Sequence, residues 1–167
     1  TTEGHRDIIE MREGLKDDRY NLRQPPPVQL VPRQRRLGVR ERVRADGRTV
    51  IALDRASLDA ALAVLARDGV EAVAICYLHA WRNGEHERET MDAVRAAMPG
   101  VYVCRSSEVL PQSKGDGRVR ATVLNGYLGP ALDTVGHAEA VEALICDVEA
   151  SSQNASLIDA ACLNAAG

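Results

Sequence analysis

Short apolar runs alternate with amphipathic stretches along the chain, and this pattern predicts an α/β fold. Residues 70–78 read VEAVAICYL and are apolar on both alternating faces except at Glu71. A strand without a polar face is typical of a sheet that helices cover on both sides. A second apolar run around Val101 and Val103 predicts another strand. These two strands form the centre of the expected sheet.

Two amphipathic helices are predicted next to these strands. The first begins after Asp54, a favourable N-terminal cap, and ends at Gly69, where a left-handed residue is usual. The second covers about 84–98 after a cap at Asn83, and its early glutamates suit the positive end of a helix dipole. The residues expected to face the core are Leu58, Ala61, Leu62 and Leu65 in the first helix and Met91, Val94 and Met98 in the second, and the early glutamates are Glu85, Glu87 and Glu89.

Two alternating runs flank Asp46-Gly47, which predicts a β-hairpin at about 36–53. Strand, helix, strand, helix and strand then follow one another, an order that predicts a parallel unit with right-handed crossovers. The expected fold class is therefore α/β, with a mixed or parallel sheet in which a β-hairpin is followed by a βαβαβ arrangement.

The segment before the hairpin is predicted to be more irregular. Residues 4–15 predict a short helix with Ile8, Ile9 and Met11 facing inward. Three prolines at 25–27 end it, because successive prolines forbid helix and favour an extended connector.

The segment after the second strand carries stronger turn signals. Residues 106–111 are expected to form a loop, and 114–120 a polar segment with two glycines. A helix is expected over 121–132, broken at Gly129-Pro130.

Composition argues against several classes of function. Of 167 residues, 45% are hydrophobic and 27% charged, so the chain can bury a core and fold. Four Tyr, one Trp and no Phe leave few platforms for nucleobases, and a net charge of −3 disfavours binding to a phosphate backbone. We therefore predict no nucleic-acid partner. A local basic run is interpreted as the exposed face of a strand, and it consists of Arg33, Arg35, Arg36, Arg40, Arg42 and Arg44.

Location and redox state follow from the absence of certain signals in the sequence. No apolar run reaches the roughly 18 to 20 residues that span a bilayer, and the start TTEGHRD is no signal peptide, so we expect a cytoplasmic protein without a membrane partner. The chain starts with Thr inside a segment of helical character, which suggests a piece of a longer protein. The cysteines lack zinc-site spacing and are expected to be reduced, and they are Cys76, Cys104, Cys146 and Cys162.

Two histidines, His79 and His86, lie where the first central strand leads into the second helix, and three interpretations compete for them. As metal ligands they lack a third partner at useful spacing, so no metal site is predicted. As a general base, His79 has a favourable position, because ligands in open α/β sheets bind beyond the carboxyl ends of strands. As structural residues, both imidazoles can satisfy backbone groups, and this interpretation is favoured over catalysis.

Other catalytic patterns are missing from the sequence. There is no GxSxG elbow, and Ser106-Ser107 lacks a neighbouring base. The GxG at 115–117 lacks a later glycine and a preceding strand, so it is interpreted as a turn rather than a phosphate loop. A small-molecule hydrolase that uses His79 is therefore a weak hypothesis, since neither a nucleophile nor an orienting partner is found.

Several short strings resemble, in order and spacing, the N-terminal region of the hydantoinase A/5-oxoprolinase family, to which acetone and acetophenone carboxylase subunits also belong. The most specific strings are TTEGHRD at 1–7, LHAWRNGEHE at 78–87 and TVLNGYLGP at 122–130. The resemblance covers about residues 1–132, which we expect to be an incomplete α/β region. Residues 133–167 are an alanine-rich tail of unclear origin.

The resemblance implies an actin/sugar-kinase/Hsp70-like fold and ATP-dependent chemistry. In that chemistry, phosphate from ATP activates an amide or enol oxygen before ring opening or carboxylation. The resemblance also implies ATP and Mg as cofactors of the full-length subunit, a small-molecule substrate, and a B-type partner subunit in a hetero-oligomer. The family's phosphate-binding DxGGT-like loops lie outside the matched region, so the fragment is expected to hold no cofactor and to be inactive by itself.

One stretch departs from the family, where a charged E-Y-E-R-x-x-T-T run is usual. Residues 115–122 keep Arg118 and Thr122 but lose the glutamates and the aromatic residue. The candidate catalytic residues are His79 and Arg118, and the candidate substrate-binding residues are Arg82, Asn83, Thr122 and Asn125.

The leading hypothesis is a fragment of an ATP-dependent subunit that hydrolyses cyclic amides such as hydantoin or 5-oxoproline. The alternatives are a fragment of an acetone or acetophenone carboxylase subunit and a non-catalytic α/β assembly module.

Overall fold

A computed structural model describes residues 1–11, 20–23 and 30–134 of the chain. Two single 3₁₀ turns occupy Ile8–Glu10 and Arg33–Arg35. The strands and longer helices follow in the order β1 Arg42–Val43, β2 Thr49–Ile51, α1 Arg55–Arg67, β3 Ala72–Ile75, α2 Glu85–Ala97, β4 Tyr102–Arg105, α3 Ser106–Val109 and α4 Gly115–Thr134.

The two predicted central strands are confirmed as a parallel pair. β3 and β4 run side by side, with Ala72 opposite Tyr102 and Ile75 opposite Arg105. Helix α2 is the crossover between them, so β3, α2 and β4 form one βαβ unit. The strands are short because the backbone beyond Ile75 bonds to side chains rather than to β4.

The predicted hairpin is also confirmed, as a separate two-stranded sheet. β1 and β2 pair antiparallel, with Val43 opposite Thr49, and Gly47 turns the chain at a φ of +88°. The predicted element order of strand, helix, strand, helix and strand is present. Among the described residues, parallel pairing is limited to β3 and β4 and to one isolated bridge between Thr2 and Val39. The side chains of β2 are exposed, so this strand has no buried face to pack into the central sheet.

Both predicted helices are present, and the first has the expected N-terminal cap. The Asp54 carboxylate accepts a hydrogen bond from the Ala56 amide at 3.0 Å and caps α1. The Asn83 side chain accepts one from the Glu85 amide at 3.1 Å, but the N-terminal cap of α2 is Gly84, so the predicted cap at Asn83 is one residue early. The predicted inward residues of both helices, together with β3, form the core, and Leu65 packs at its margin. The buried core consists of Val39, Leu58, Ala61, Leu62, Val73, Ile75, Tyr77, Ala80, Met91, Val94 and Met98.

Three predictions for the later segments are wrong. The expected loop at 106–111 starts with one helical turn, α3. The expected polar segment at 114–120 belongs to α4, which begins at Gly115, because Asp116 and Arg118 face the interior and give this stretch a buried side. Helix α4 also continues through Gly129-Pro130 instead of breaking there.

The small residues of α4 are explained by how closely it packs on the sheet. A Cβ atom added at Gly129 would lie 2.1 Å from Cζ of Tyr102, whereas one at Gly126 would lie 3.5 Å from its nearest neighbours. Gly129 is therefore a site of close approach to β4 rather than a helix stop.

The N-terminal segment differs from the expected helix. Ile9 is buried as predicted, but Met11 is 55% exposed, so its predicted inward position is wrong. The described helical structure there is a single 3₁₀ turn, which is too short to give Met11 a buried face. The rest of the predicted helix, the prolines at 25–27 and the tail from 135 lie outside the described residues.

The basic run is only partly an exposed strand face. Arg33 bonds the Asp7 carboxylate through Nε and one terminal nitrogen, at 3.0 and 2.9 Å. Arg36 is buried, and it bonds Glu10 at 2.5 Å and the carbonyl of Val31 at 2.9 Å. These two arginines therefore hold residues 31–36 against the N-terminal segment.

Gly126 and Gly129 of α4 give opposite predictions for substitution by alanine. In Gly129→Ala the methyl group overlaps the Tyr102 ring, so we expect the free energy of unfolding to fall by about 1–3 kcal/mol. In Gly126→Ala the methyl group makes ordinary contacts, so the variant should gain about 0.5–1 kcal/mol from reduced backbone entropy. Urea denaturation of both variants measures the difference, and a similar change in both would contradict the packing described for α4.

Candidate functional site

A fully buried carboxylate organises the carboxyl ends of β3 and β4. Glu87, in the first turn of α2, accepts hydrogen bonds from the Tyr77 amide at 2.9 Å, the Ser106 hydroxyl at 2.5 Å and the Ser107 amide at 2.8 Å. Tyr77 follows β3, and both serines follow β4. We call Glu87, Tyr77, Ser106 and Ser107 the carboxylate hub. The hub joins the crossover helix to both parallel strands at the edge where α/β proteins bind ligands.

Arg118 of α4 lies beside the hub. Its guanidinium donates to the Tyr77 carbonyl at 2.8 Å and to the Gln112 carbonyl at 3.4 Å, while its Nε finds no partner among the described residues. Burial lowers the pKa of Arg118 from its ordinary value, and the nearby Glu87 opposes that effect. The Thr122 hydroxyl donates to the Arg118 carbonyl at 2.7 Å, one helical turn away.

A second buried chain of polar groups lies next to the hub. Glu41 bonds His86 Nδ1 at 2.8 Å through one oxygen and accepts from the Thr2 hydroxyl through the other. Thr2 in turn accepts from the Leu78 amide at 2.8 Å. The structure thus places His86 in a buried pair, in agreement with the structural interpretation. His86 fastens α2 to the segment before β1.

His79 lies in the turn directly after β3, with a backbone φ of +57° that L-residues rarely adopt. Its carbonyl accepts from the amides of Arg82 and Asn83, at 2.9 and 3.3 Å, so the turn leads straight into the start of α2. Partial burial lowers the pKa of the His79 imidazole, and the charges of Arg42 and Arg118 add to this effect. A neutral imidazole is the form that can accept a proton.

Two arginines lie near this histidine, and the Glu41 carboxylate partly opposes their effect on its pKa. Arg42 lies 3.1 Å from His5 Nε2, and burial followed by the Arg42 charge lowers the pKa of His5 as well. His5, Arg42, His79 and Arg118 are coupled electrostatically, and we call them the cationic rim. The rim can attract an anionic group while its two imidazoles remain proton acceptors.

The other candidates are not all at this edge. Asn83 donates to the Gly47 carbonyl at 3.0 Å and accepts from the Glu85 amide. Exposed Arg82 stacks over Trp81 at 5.7 Å and lies beside Gly47, so both residues face the hairpin. Asn125 accepts from the Tyr102 hydroxyl at 3.1 Å, near the amino end of β4. Only His79, Arg118 and Thr122 are therefore brought together at the carboxyl edge.

Sequence reasoning missed the residues that hold this edge, above all Glu87. A signal existed, since Glu87 precedes Met91, Val94 and Met98 by 4, 7 and 11 positions and so lies on the same inward helix face. A glutamate on a core-facing stripe indicates a buried carboxylate that must find donors. His5, Arg42 and Glu41 carry no comparable local signal, because their role depends on contacts across the chain.

Some chemistries find no support among the residues that the structure describes. No group of three or more His, Cys, Asp or Glu there could hold a metal ion. Cys76 and Cys104 are buried, and burial raises the pKa of each thiol to about 12, so neither is an activated nucleophile. Within the same residues, no helix is both long and apolar enough to cross a bilayer.

Comparisons with known proteins identify the N-terminal part of the chain. The family described as the hydantoinase/oxoprolinase N-terminal region matches residues 1–98. Caprolactamase subunit alpha of Pseudomonas jessenii is 41% identical over 133 residues, which are 78% of this chain and 19% of that protein. Acetophenone carboxylase gamma subunit of Aromatoleum aromaticum is 29% identical over 141 residues, again 19% of its length.

The fold agrees with these relatives. The crystal structure of the ATP-dependent caprolactamase from Pseudomonas jessenii superposes with a TM-score of 0.73 and 38% identity, covering 89% of this chain and 21% of that one. The chain thus spans about a fifth of the length of the relatives it matches. The α/β fold class and the family resemblance predicted from the sequence are confirmed.

The carboxylate hub predicts a specific sensitivity at Glu87. In Glu87→Gln one oxygen becomes an NH₂ group that cannot accept, so a buried donor is left unpaired and the free energy of unfolding should fall by about 1–3 kcal/mol. Glu89→Gln, an exposed change on the same helix, is the matched control and should change stability little. Equal stability of the two variants in urea denaturation would refute the hub.

The lowered pKa values of His5 and His79 predict the sign of a pH effect. Unfolded histidine has a pKa near 6.5, so below that pH the unfolded chain binds more protons than the folded one, and stability is lost as pH falls. The thermal midpoint should drop between pH 7.5 and 5.5. The drop should be smaller in His5→Gln/His79→Asn, where Asn tolerates the positive φ of residue 79. An equal or larger drop in that variant would show that these imidazoles are not held neutral.

Proposed function

Because the chain belongs to the hydantoinase/oxoprolinase family by its N-terminal region, we propose that it is a fragment of an ATP-dependent subunit that opens cyclic amides such as hydantoin or 5-oxoproline. The more similar of the two relatives is a caprolactamase subunit, and the matching crystal structure is of an ATP-dependent caprolactamase. The observation that carries the proposal is the cationic rim at the carboxyl edge of the parallel strands.

The rim has the charge that such a reaction needs. Hydrolysis of an amide driven by ATP develops negative charge on the amide oxygen and on the transferred phosphate, and fixed guanidinium groups stabilise such charge. Arg118 is held by two carbonyls and its side chain is buried, so it contributes a fixed positive charge to the rim rather than a donor on an open surface. His79 is the residue we assign to take a proton from the attacking water, since its imidazole is kept neutral.

The described residues offer positive charge for ATP but no complete ligand set for Mg. ATP supplies the phosphate that makes the amide oxygen a leaving group, and Arg42 and Arg118 offer positive charge to its anionic groups. Mg is usually held by one or two carboxylates together with phosphate oxygens and water, and among the described residues no group of three or more His, Cys, Asp or Glu could hold a metal ion by itself. We therefore assign Mg binding to the rest of the subunit, and we propose that the fragment is inactive by itself.

Two alternatives have specific support. The first alternative is that the parent subunit acts on a ketone rather than a lactam, because the acetophenone carboxylase gamma subunit is a relative. The relatives are named as subunits, which supports a partner subunit, here proposed to be of the B type, and a hetero-oligomer. The second alternative is a purely structural assembly module, because the most buried polar groups serve packing. A cytoplasmic location remains a prediction.

A chimera tests the proposal directly. Residues 1–134 of this chain would replace the matched fifth of Pseudomonas jessenii caprolactamase subunit alpha, assembled with its natural partner. We expect ATP-dependent hydrolysis of one or more of caprolactam, hydantoin and 5-oxoproline, and no turnover by the 167-residue chain alone. Carboxylation of acetone or acetophenone instead would favour the ketone alternative. A folded, assembled chimera without any turnover would favour the assembly module.

The chimera also tests the assigned residues. His79→Asn keeps the backbone conformation but removes the proton acceptor, so kcat should fall by about 10²-fold or more. Arg82→Met is the matched control, since Arg82 is exposed and faces the hairpin, and its kcat should stay close to the parent value. An unchanged kcat in His79→Asn would contradict the role assigned to this residue.

A further inference from the structure

A polar cavity of about 420 Å³ lies at the carboxyl end of β4, between α3, the first turn of α2 and the turn that joins β3 to α2. None of the four residues of the cationic rim lines it, so it is separate from the candidate site. We call it the indole cavity, after the ring of Trp81 in its wall. The wall also includes Gly84, Arg88, Arg105 and Ser107.

The wall of this cavity collects hydrogen-bond donors that have no acceptor. Among the described residues, four buried side-chain nitrogen or oxygen atoms make no hydrogen bond. Three of them belong to the indole cavity, namely Trp81 Nε1, Arg105 Nε and Ser107 Oγ. The two nitrogens can only donate, and the hydroxyl can donate as well. Because buried donors are costly to leave unpaired, three of them at one cavity indicate a ligand rich in hydrogen-bond acceptors.

The charge at the cavity favours a negatively charged acceptor. Three arginines and two glutamates line it. Arg105 donates to the Glu108 carboxylate, so that acid is already neutralised. Arg88 is exposed, and among the described residues it forms no ion pair with an acidic side chain. Guanidinium groups match the geometry of carboxylates and phosphates, so the acceptor that suits this wall is an oxyanion.

The wall can adjust to a ligand without disturbing the carboxylate hub. Trp81, Arg105 and Ser107 are only partly buried, so rotation of their side chains turns the unpaired donors towards the cavity. The backbone of Ser107 stays anchored, since its amide bonds Glu87 at 2.8 Å. Gly84 leaves the room that this hydroxyl occupies, because a Cβ atom added there would lie 2.8 Å from Ser107 Oγ.

We propose that the indole cavity binds the carboxylate or phosphate group of a small molecule. Arg88 and Arg105 supply the positive charge, and the Ser107 hydroxyl and the Trp81 indole N–H supply further hydrogen bonds. A volume of about 420 Å³ lies within the range of small-molecule sites. The proposal does not depend on the reaction proposed above, because the cavity shares no residue with the cationic rim.

The only tryptophan of the chain gives a direct readout. Trp81 is the single Trp among 167 residues, so its indole N–H gives one NMR signal that reports on the cavity. The whole chain is titrated with inorganic phosphate and with acetate, while sodium chloride keeps the ionic strength constant. We expect a saturable shift of the indole signal with at least one of these anions and none with chloride alone. Tighter binding of phosphate would assign a phosphorylated ligand, and tighter binding of acetate a carboxylate.

Three variants separate a built site from general attraction to positive charge. Arg88→Gln removes an exposed guanidinium, so the affinity for the anion should fall by about tenfold or more. Ser107→Ala keeps the amide bond to Glu87 and should weaken binding by about threefold or more. Arg55→Gln removes an equally exposed arginine at the start of α1, outside the cavity, and should leave the affinity unchanged.

Two results would overturn the proposal. The first is the absence of a saturable indole shift with either anion in the folded chain. The second is an equal loss of affinity in Arg55→Gln and Arg88→Gln, which would show that the anions respond to net charge and not to the cavity. Far-UV circular dichroism of each variant establishes that it is folded before titration.

Discussion

The burial of one carboxylate constrains this part of the structure more than any other interaction. Glu87 has no exposed surface, and an acidic group in that position is tolerated only if hydrogen-bond donors surround it. One of its three donors is the amide of Tyr77, just beyond β3. The other two belong to Ser106 and Ser107, the first residues beyond β4. These bonds tie the first turn of α2 to the ends of both strands, so the hub restricts how the crossover helix lies on the sheet.

The candidate site depends on that constraint. Tyr77 donates its amide to Glu87 and offers its carbonyl to Arg118, so the hub indirectly fixes the guanidinium. The turn that follows places His79 with a positive φ between the strand and α2. The hydrogen-bonded side chains of Thr2, Glu41 and His86 hold the N-terminal segment against the same edge. Positive charge and a neutral imidazole are thereby kept beside each other at the end of the sheet.

Hydrophobic periodicity predicted the elements that local sequence patterns define. It failed for elements whose conformation depends on tertiary packing. The cap at Asp54 and the apolar stripes of α1 and α2 were predictable because each is a local pattern. The continuous α4 was not, since Gly129 is selected by the Tyr102 ring across the sheet and not by its own helix. For the site, the strand end pointed to His79, and the family resemblance to Arg118. The cationic rim was beyond sequence reasoning, because His5 and Arg42 reach it only through tertiary contacts.

The central claim is that Glu87 holds the ends of both parallel strands, and amide hydrogen exchange of the unmodified chain tests it most directly. Neither the Tyr77 nor the Ser107 amide lies within a strand ladder, so only the bonds to Glu87 would protect them. The account predicts that both exchange as slowly as the amide of Val73 in the core of β3. Exchange as fast as that of Asp46 in the exposed hairpin turn would contradict it.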